Sequence, residues 1–316
     1  MKNASETIKD ILDNIAKVIV GKQEAAEMLL VCLISGGHAL IEDVPGVGKT
    51  SLVSSMAKSV DCSFKRIQFT PDIMPSDITG FSMYSPKTND FEFRPGLVMS
   101  SFILADEINR TAPKTQASLL EVMEEGQVTV DGVTYPMTQP FIVMATQNPT
   151  EYLGTYPLPE AQVDRFFMKI TLGYPGFEDE QEILRRHKED NPIDNLQPVA
   201  NGDDIVAIQK LVESIKVDES LNEYIVRIIQ HTRTHADVEL GSSPRGSLSL
   251  FRAAQSNALI RGRDYVLPDD IKEMAVPVLG HRIILTQEAR MRGRTSESII
   301  KDALRQINLP SVSANG

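Results

Sequence analysis

The stretch "ALIEDVPGVGKTS", residues 39–51, constrains this chain more than any other. An apolar run passes into a Gly- and Pro-punctuated turn and then, through Lys49 and Thr50, into a segment with helical spacing. Strand, glycine-rich turn and helix N-terminus in that order make a cradle for phosphate. Gly46 and Gly48 let the backbone approach the anion, and the first N–H groups of the helix point at the same charge. Lys49 is then placed to bridge β- and γ-phosphates, and Thr50 to ligate Mg²⁺. Val44, Pro45, Gly46, Val47, Gly48, Lys49, Thr50 and Ser51 are the candidate nucleotide-binding residues of the loop. The pattern G-x-x-x-x-G-K-[ST] asks for glycine at position 43, where Asp43 stands. That position lies at the strand exit, farthest from the γ-phosphate. The aspartate therefore changes the turn without removing an anion donor, and Pro45-Gly46 supplies the chain reversal.

The surrounding pattern predicts an α/β fold. Ile8, Ile11, Leu12, Ile15 and Ile19 share one helical face at the start of the chain. Short apolar runs at 38–42, 65–69, 101–105, 140–145 and 166–172 read as buried strands. Leu52, Val53, Met56, Ala57 and Val60 form the inner face of one intervening helix, and Ala117, Leu120 and Met123 that of another, stopped at Gly126. Alternation of this kind implies a mostly parallel sheet covered on both faces. Two hairpins interrupt it, at 84–96 and at 127–137, the second with Asp131-Gly132 at its tip. Beyond residues 174–180 the chain reads as helices only, over about 178–188, 203–215, 219–235, 244–261, 268–279 and 297–306. The expected division is an α/β nucleotide-binding domain, 1–175, and a helical domain, 176–316.

A second chemical motif sits in "FILADE". An apolar strand ending in Asp106-Glu107 puts two carboxylates at the carboxyl edge of a parallel sheet, where such sheets bind ligands. Asp106 is placed to hold Mg²⁺ and Glu107 to polarise an attacking water. The run "PFIVMATQNP" is another buried strand, ending at Asn148. Its amide stands either as a reporter on the γ-phosphate or as a loop cap before proline. His231 and His235 are four apart on a helix, but no third ligand follows in register, so they carry no metal reading.

Composition limits the partners. Lys plus Arg number 32 against 43 Asp plus Glu, a formal net charge of -11. Polyphosphate backbones are repelled by such a surface unless a basic patch is segregated, which argues against nucleic acid. Cys32 and Cys62 lack metal-ligand spacing and read as buried free thiols of a reducing compartment. The longest apolar run, residues 28–34, is far short of the roughly 20 residues that cross a bilayer. A cytoplasmic protein without a transmembrane segment is the expectation.

The order of loop, Asp-Glu strand, strand-end Asn and helical lid resembles AAA+ ATPases. Finer wording resembles the MoxR family: "EDVPGVGKTS", "RIQFTPDIMPSDITG", "FRPGLV", "ILADEINRTAPKTQASLLEVMEE", "ATQNPTEYLGTYPLPEAQVDRF" and "GSSPRGSL", which cover most of residues 40 to 255. The resemblance implies a five-stranded parallel sheet in the order 5-1-4-3-2 with an all-α lid, ATP and Mg²⁺ as ligands, and a ring homo-oligomer, expected to be a hexamer. It further implies that Arg165 is the arginine finger completing a neighbouring subunit's site, with Arg110 as the alternative. A local surface ion pair of Asp164 with Arg165 is the plainer reading of the same dipeptide. Arg245 matches the lid arginine that touches the nucleotide within its own subunit. Gly246 stands where the family usually has alanine and is expected to loosen the first turn of its helix. Adenine is expected against residues 18–23, with Ile19 and Val20 as contacts.

Several functions remain open at this point. A MoxR-type ATPase would remodel, assemble or mature client proteins, with a von Willebrand factor A domain protein as partner. A nucleic-acid motor is set back by the charge and by the lack of a Lys/Arg stripe interleaved with aromatics. A monomeric P-loop kinase would not need Arg165 from a neighbour.

Overall fold

The computed structural model describes residues 4–44, 46–147, 154–186 and 192–309. Two helices, α1 (Ala4–Ala16) and α2 (Gln23–Ile34), precede the first strand, β1 (Ala39–Glu42). The phosphate loop leads into α3 (Lys49–Ser59), and β2 (Phe64–Gln68) follows. An excursion of α4 (Pro75–Thr79) and the antiparallel pair β3 (Gly80–Ser85) and β4 (Asp90–Pro95) comes before β5 (Phe102–Asp106). A 3₁₀ turn, Ile108–Arg110, connects β5 to α5 (Pro113–Glu125). The second hairpin, β6 (Gln127–Val130) and β7 (Val133–Pro136), precedes β8 (Ile142–Gln147). A short α6 (Glu160–Val163) then precedes β9 (Met168–Ile170).

The five-stranded sheet runs β2-β5-β8-β1-β9, all pairs parallel. Counting only its own strands in chain order, this is 5-1-4-3-2, as expected from the resemblance. Period-two alternation explains how the sheet is buried on both faces. Ala39, Ile41, Phe102, Leu104, Ile142 and Met144 enter one core, while Leu40, Ile103, Ala105, Val143 and Ala145 enter the other. The first core also takes in α1 to α3 and most of the C-terminal helices; the second is closed by α5 through Leu119, Leu120 and Met123.

C-terminal to β9 lie α7 (Phe177–Arg186), α8 (Gly202–Glu213) and α9 (Glu219–Thr234). A strand, β10 (Val238–Leu240), separates them from α10 (Pro244–Ile260) and α11 (Pro268–Leu279). Then come β11 (Ile284–Leu285), α12 (Gln287–Met291) and α13 (Ser296–Gln306). The six expected helices are present within two residues at either end, and several starts carry the capping chemistry that sets them. Asn201 accepts from Asp204 N at 3.0 Å, and Thr295 from Ser298 N at 3.1 Å.

Some expectations differ from the structure. The region is helical, but the antiparallel ladder of β10 with β11 adds a feature that the reading of helices only omitted. Two- and three-residue strands carry too few residues for alternation to register. The first hairpin starts at Gly80 rather than residue 84, because its first strand continues straight out of α4. Ile19 lies past the end of α1, in the segment that turns toward α2. The helix α2 opens on exposed Gln23 and Glu24, but Leu29 to Ile34 are all inside, so its second half has no polar face for a periodicity to reveal.

Candidate active site

Parallel pairing aligns the chemistry at one edge. Gln68 is in register with Asp106 across β2 and β5, and Ile41 with Thr146 across β1 and β8. The carboxyl ends of four strands therefore meet beside the phosphate loop. A cavity of about 370 Å³ at this edge is lined by Gly46, Gly48, Lys49, Thr50 and Ser51 on one side. Arg66, Gln68, Asp106, Glu107 and Thr146 line the other.

The loop has the backbone that its glycines allow. Gly46 and Gly48 hold φ of 85° and 91°, a region that favours glycine. Gly48 caps α3 without a side-chain acceptor, and the first turn of that helix carries no acid, so its N–H groups stay available to an anion. Lys49 Nζ donates to the carbonyl of Asp43 at 3.2 Å, which holds the ammonium over the loop. Val44 and Val47 are half-buried, and Val47 packs onto the core beneath. Pro45 and Asn148 lie outside the described residues.

Asp43 proves to be a structural residue of this loop. It is 7% exposed, and its Oδ2 accepts from Leu172 N at 2.6 Å and Gly173 N at 2.7 Å. Its Oδ1 accepts from Val44 N at 2.9 Å. The carboxylate ties the base of the phosphate loop to the exit of β9, a role that a glycine has no atoms to perform.

The two acids of the β5 end are held by neighbours the sequence reading did not assign. Asp106 Oδ2 accepts from Arg66 Nη2 at 2.5 Å, and Oδ1 from the Thr146 hydroxyl at 2.7 Å. The same hydroxyl accepts from Glu107 N at 2.9 Å. Glu107 has φ 57° and ψ 49°, left-handed backbone for a non-glycine residue, so the chain turns sharply where its carboxylate leaves the strand. That carboxylate accepts from Gln68 Nε2 at 2.6 Å and lies 3.4 Å from Arg110 Nη1. Arg110 thus stands beside the chain's own Glu107. Strand register is what identifies Arg66, Gln68 and Thr146, and register is set by pairing between distant segments. The hydroxyl of Thr50 and the carboxylate of Asp106 present hard oxygen donors to one cavity, a set that fits Mg²⁺.

Arg165 and Arg245 are not in this cavity. Helix α5 leaves the carboxyl end of β5 and runs back toward the opposite edge of the sheet, where Met123 O receives His38 Nε2 at 2.9 Å, just ahead of β1. There Glu124 lies 3.3 Å from Arg165 Nη1 and 2.6 Å from Arg245 Nη2. Gly36, Gly37, His38, Phe167, Ser249 and Arg282 complete the lining of this second cavity, about 260 Å³. The expected contact of Arg245 with the nucleotide of its own chain is therefore not what the arrangement offers, because α10 packs at the amino edge of the sheet. Asp164 pairs with Arg282 at 2.6 Å rather than with its neighbour Arg165. Gly246 is buried in the first turn of α10, where a Cβ would lie 2.1 Å from Ser242 Oγ and 3.3 Å from Arg282 Cδ.

Ile19 and Val20 line a separate cavity of about 290 Å³ with Leu12, Ile15 and Arg186. It is strapped by the chain beyond β9: Lys22 Nζ donates to Tyr174 O at 2.7 Å, and Arg186 Nη1 to Lys17 O at 2.9 Å. A cavity of about 720 Å³ between α2, β9, α11 and α13, larger than the one at the loop, touches none of the loop residues. Size alone does not locate the chemistry. Among the described residues no helix is long and apolar enough to cross a membrane.

Known proteins agree with this geometry. Residues 38–168 match the profile of the ATPase family associated with various cellular activities (AAA), and residues 230–303 that of the AAA lid domain. The chain is 52% identical to the uncharacterized protein YeaC of Bacillus subtilis, over 95% of this chain and 93% of that one. It is 43% identical to chaperone MoxR1 of Mycobacterium tuberculosis, over 98% and 84%. A crystal structure of a protein from Cytophaga hutchinsonii superposes with a TM-score of 0.92 at 44% identity, covering 98% of this chain and 96% of that one. With the loop, the Asp-Glu strand and the lid in one sheet order, and relatives along nearly its whole length, the chain belongs to the MoxR family of AAA+ ATPases.

Proposed function

We propose that this protein hydrolyses ATP at sites built between the subunits of a ring, a hexamer by the family resemblance, and uses the turnover to remodel or mature client proteins. Residues 1–175 act as the nucleotide-binding domain and 176–316 as the lid, and a von Willebrand factor A domain protein is the partner class. The observation that carries this reading is a division within one chain. The loop, Asp106 and Glu107 occupy the carboxyl edge of the sheet, while Arg165 and Arg245 occupy the amino edge. In a chain so divided neither Arg165 nor Arg245 reaches its own γ-phosphate, and the guanidinium that does line the loop cavity, Arg66, is paired with Asp106; a head-to-tail neighbour supplies the arginine finger.

Each residue then has a task. Backbone N–H groups of 46–51 and the Lys49 ammonium bind the β- and γ-phosphates. Thr50 and Asp106 would hold Mg²⁺, which neutralises phosphate charge when bound. Glu107 orients the attacking water and draws its proton. Ile19 and Val20 face the base. Arg165 of the adjoining subunit, with Arg245 beside it, stabilises charge that grows on the transferred phosphoryl oxygens. The name of the Mycobacterium relative, a chaperone, supports the remodelling role.

Two inactive variants test the shared site. Lys49→Ala disables the loop and Arg165→Ala the opposite edge. Mixed, they pair one intact loop with one intact arginine, so turnover returns; none at any ratio would remove the intersubunit reading. Turnover per subunit should also rise steeply with protein concentration until the ring is assembled.

A further inference from the structure

The two arginines of the amino edge are linked by a third that neither motif nor mechanism has used. Arg282 ends a 3₁₀ turn after α11, and its side chain is 1% exposed. Its guanidinium is saturated by the fold. Nε donates to Val278 O at 2.8 Å, anchoring it to its own helix. Nη1 donates to Asp164 twice, to the carbonyl at 2.8 Å and to Oδ1 at 2.6 Å. Nη2 donates to Phe166 O at 2.7 Å and to Ser249 Oγ on α10 at 3.2 Å. The other Asp164 oxygen accepts from Ser243 Oγ at 3.0 Å, and Ser243 is the N-cap whose hydroxyl receives Arg245 N at 3.2 Å.

One ion pair, its arginine buried and its aspartate half-buried, thus reaches both functional candidates. Asp164 precedes Arg165 in the chain, and through Ser243 it fixes the helix start that carries Arg245. His281 adds a bond from Nε2 to Phe166 O at 3.1 Å. Gly246 lets α10 approach Ser242 and Arg282 more closely than any larger residue would. Outside this frame Arg165 and Arg245 emerge half-exposed on either side of Glu124, and burial of their supporting arginine leaves it no alternative partner in solvent.

We propose that Arg282 is a positioning residue for hydrolysis: through Asp164 it locks the lid to segment 164–167, so that Arg165 and Arg245 meet the neighbouring subunit's nucleoside triphosphate as one two-pronged unit. The inference rests on the intersubunit reading above. Two guanidiniums that share one carboxylate are spaced to share one terminal phosphate, and they stabilise developing charge only if held before the reaction. A lysine at position 282 keeps the charge but has no planar fork, so the frame slackens while the chain's own loop is untouched.

The test uses full-length protein carrying Arg282→Lys, with Asp164→Asn as a milder second variant should the first fail to fold. Binding of a fluorescent ATP analogue to the variant's own loop should stay within about 2-fold, while kcat falls about 10-fold or more with KM nearly unchanged. Mixing with Lys49→Ala should restore turnover, since about a quarter of interfaces in an equimolar ring pair an intact loop with an intact arginine edge. A wild-type kcat, or equal loss of analogue binding and kcat, would overturn the proposal in favour of a general structural role. So would failure of Lys49→Ala to restore Arg282→Lys when the same partner restores Arg165→Ala. If neither mixture recovers, the intersubunit reading falls and this inference falls with it.

Discussion

At the scale of single residues, Asp43 shows how a departure from a motif can be informative. It stands where the phosphate-loop pattern asks for glycine, and its carboxylate receives three backbone N–H groups, two of them from the exit of β9. Restoring the pattern with Asp43→Gly is expected to destabilise the fold by about 1–3 kcal/mol, because buried donors lose a charged acceptor. Chemical denaturation of the two proteins measures it, and equal stability would contradict the assignment. Glu107 belongs to the same scale. Glu107→Gln keeps the shape and the bond to Gln68 but no longer draws a proton, so turnover should drop about 100-fold or more while nucleotide binding persists. Turnover at the wild-type rate would remove Glu107 from its role. Neither Arg66 nor Thr146 was legible as a partner of Asp106, because each is an ordinary strand residue until sheet pairing sets it beside the acid.

At the scale of elements, His38 joins three of them. It precedes β1, its Nδ1 accepts from Val143 N at 3.0 Å at the start of β8, and its Nε2–H donates to Met123 O near the end of α5. Burial pushes its pKa down to about 4, and burial likewise holds His281, with Arg282 beside it, at about 3. Unfolded imidazoles titrate near 6.5, so below that pH the unfolded chain takes up protons that the folded chain refuses. The stability these groups contribute is complete above about pH 6.5 and is lost as pH falls from there toward 4. By pH 5 each should account for about 2 kcal/mol. Denaturation of His38→Gln at pH 7.5 and 5 should show a smaller pH dependence than the parent; an unchanged slope would show that His38 titrates normally. The elements themselves were largely readable, since the apolar run of β5 and the inner face of α3 are local facts. The ladder of β10 and β11 was not readable, and neither was α2, whose second half is wholly buried, because periodicity needs both length and a contrasting face.

At the scale of the whole molecule, the placement of the lid decides what kind of site this is. Helix α10 rests against α2, α8, α9 and α11, and its N-terminus comes out at the amino edge of the sheet beside Glu124. Arg245 is thereby separated from the loop of its own chain and grouped with Arg165. Complementation distinguishes the two arrangements. If Arg245 serves a neighbour, Arg245→Ala and Lys49→Ala should recover turnover when mixed. If it served its own loop, the only intact loops in the mixture would lack their arginine and no activity would return.

By itself the sequence determined the strand–loop–helix that binds phosphate, the Asp106-Glu107 strand end, the sheet's parallel class and the family. The loop and the strand end are written in contiguous residues whose spacing reflects local backbone geometry, the parallel class in the alternation of strands and helices, and the family in the stretches that resemble it. The tertiary structure alone decided that Arg66, Gln68 and Thr146 surround the two acids, that Asp43 anchors β9, and that Arg245 stands with Arg165 across the sheet from the loop. Those outcomes depend on strand register and on which face the lid helices bury. Both are settled by hydrophobic packing and hydrogen bonding between segments far apart in the chain, and no local pattern records them.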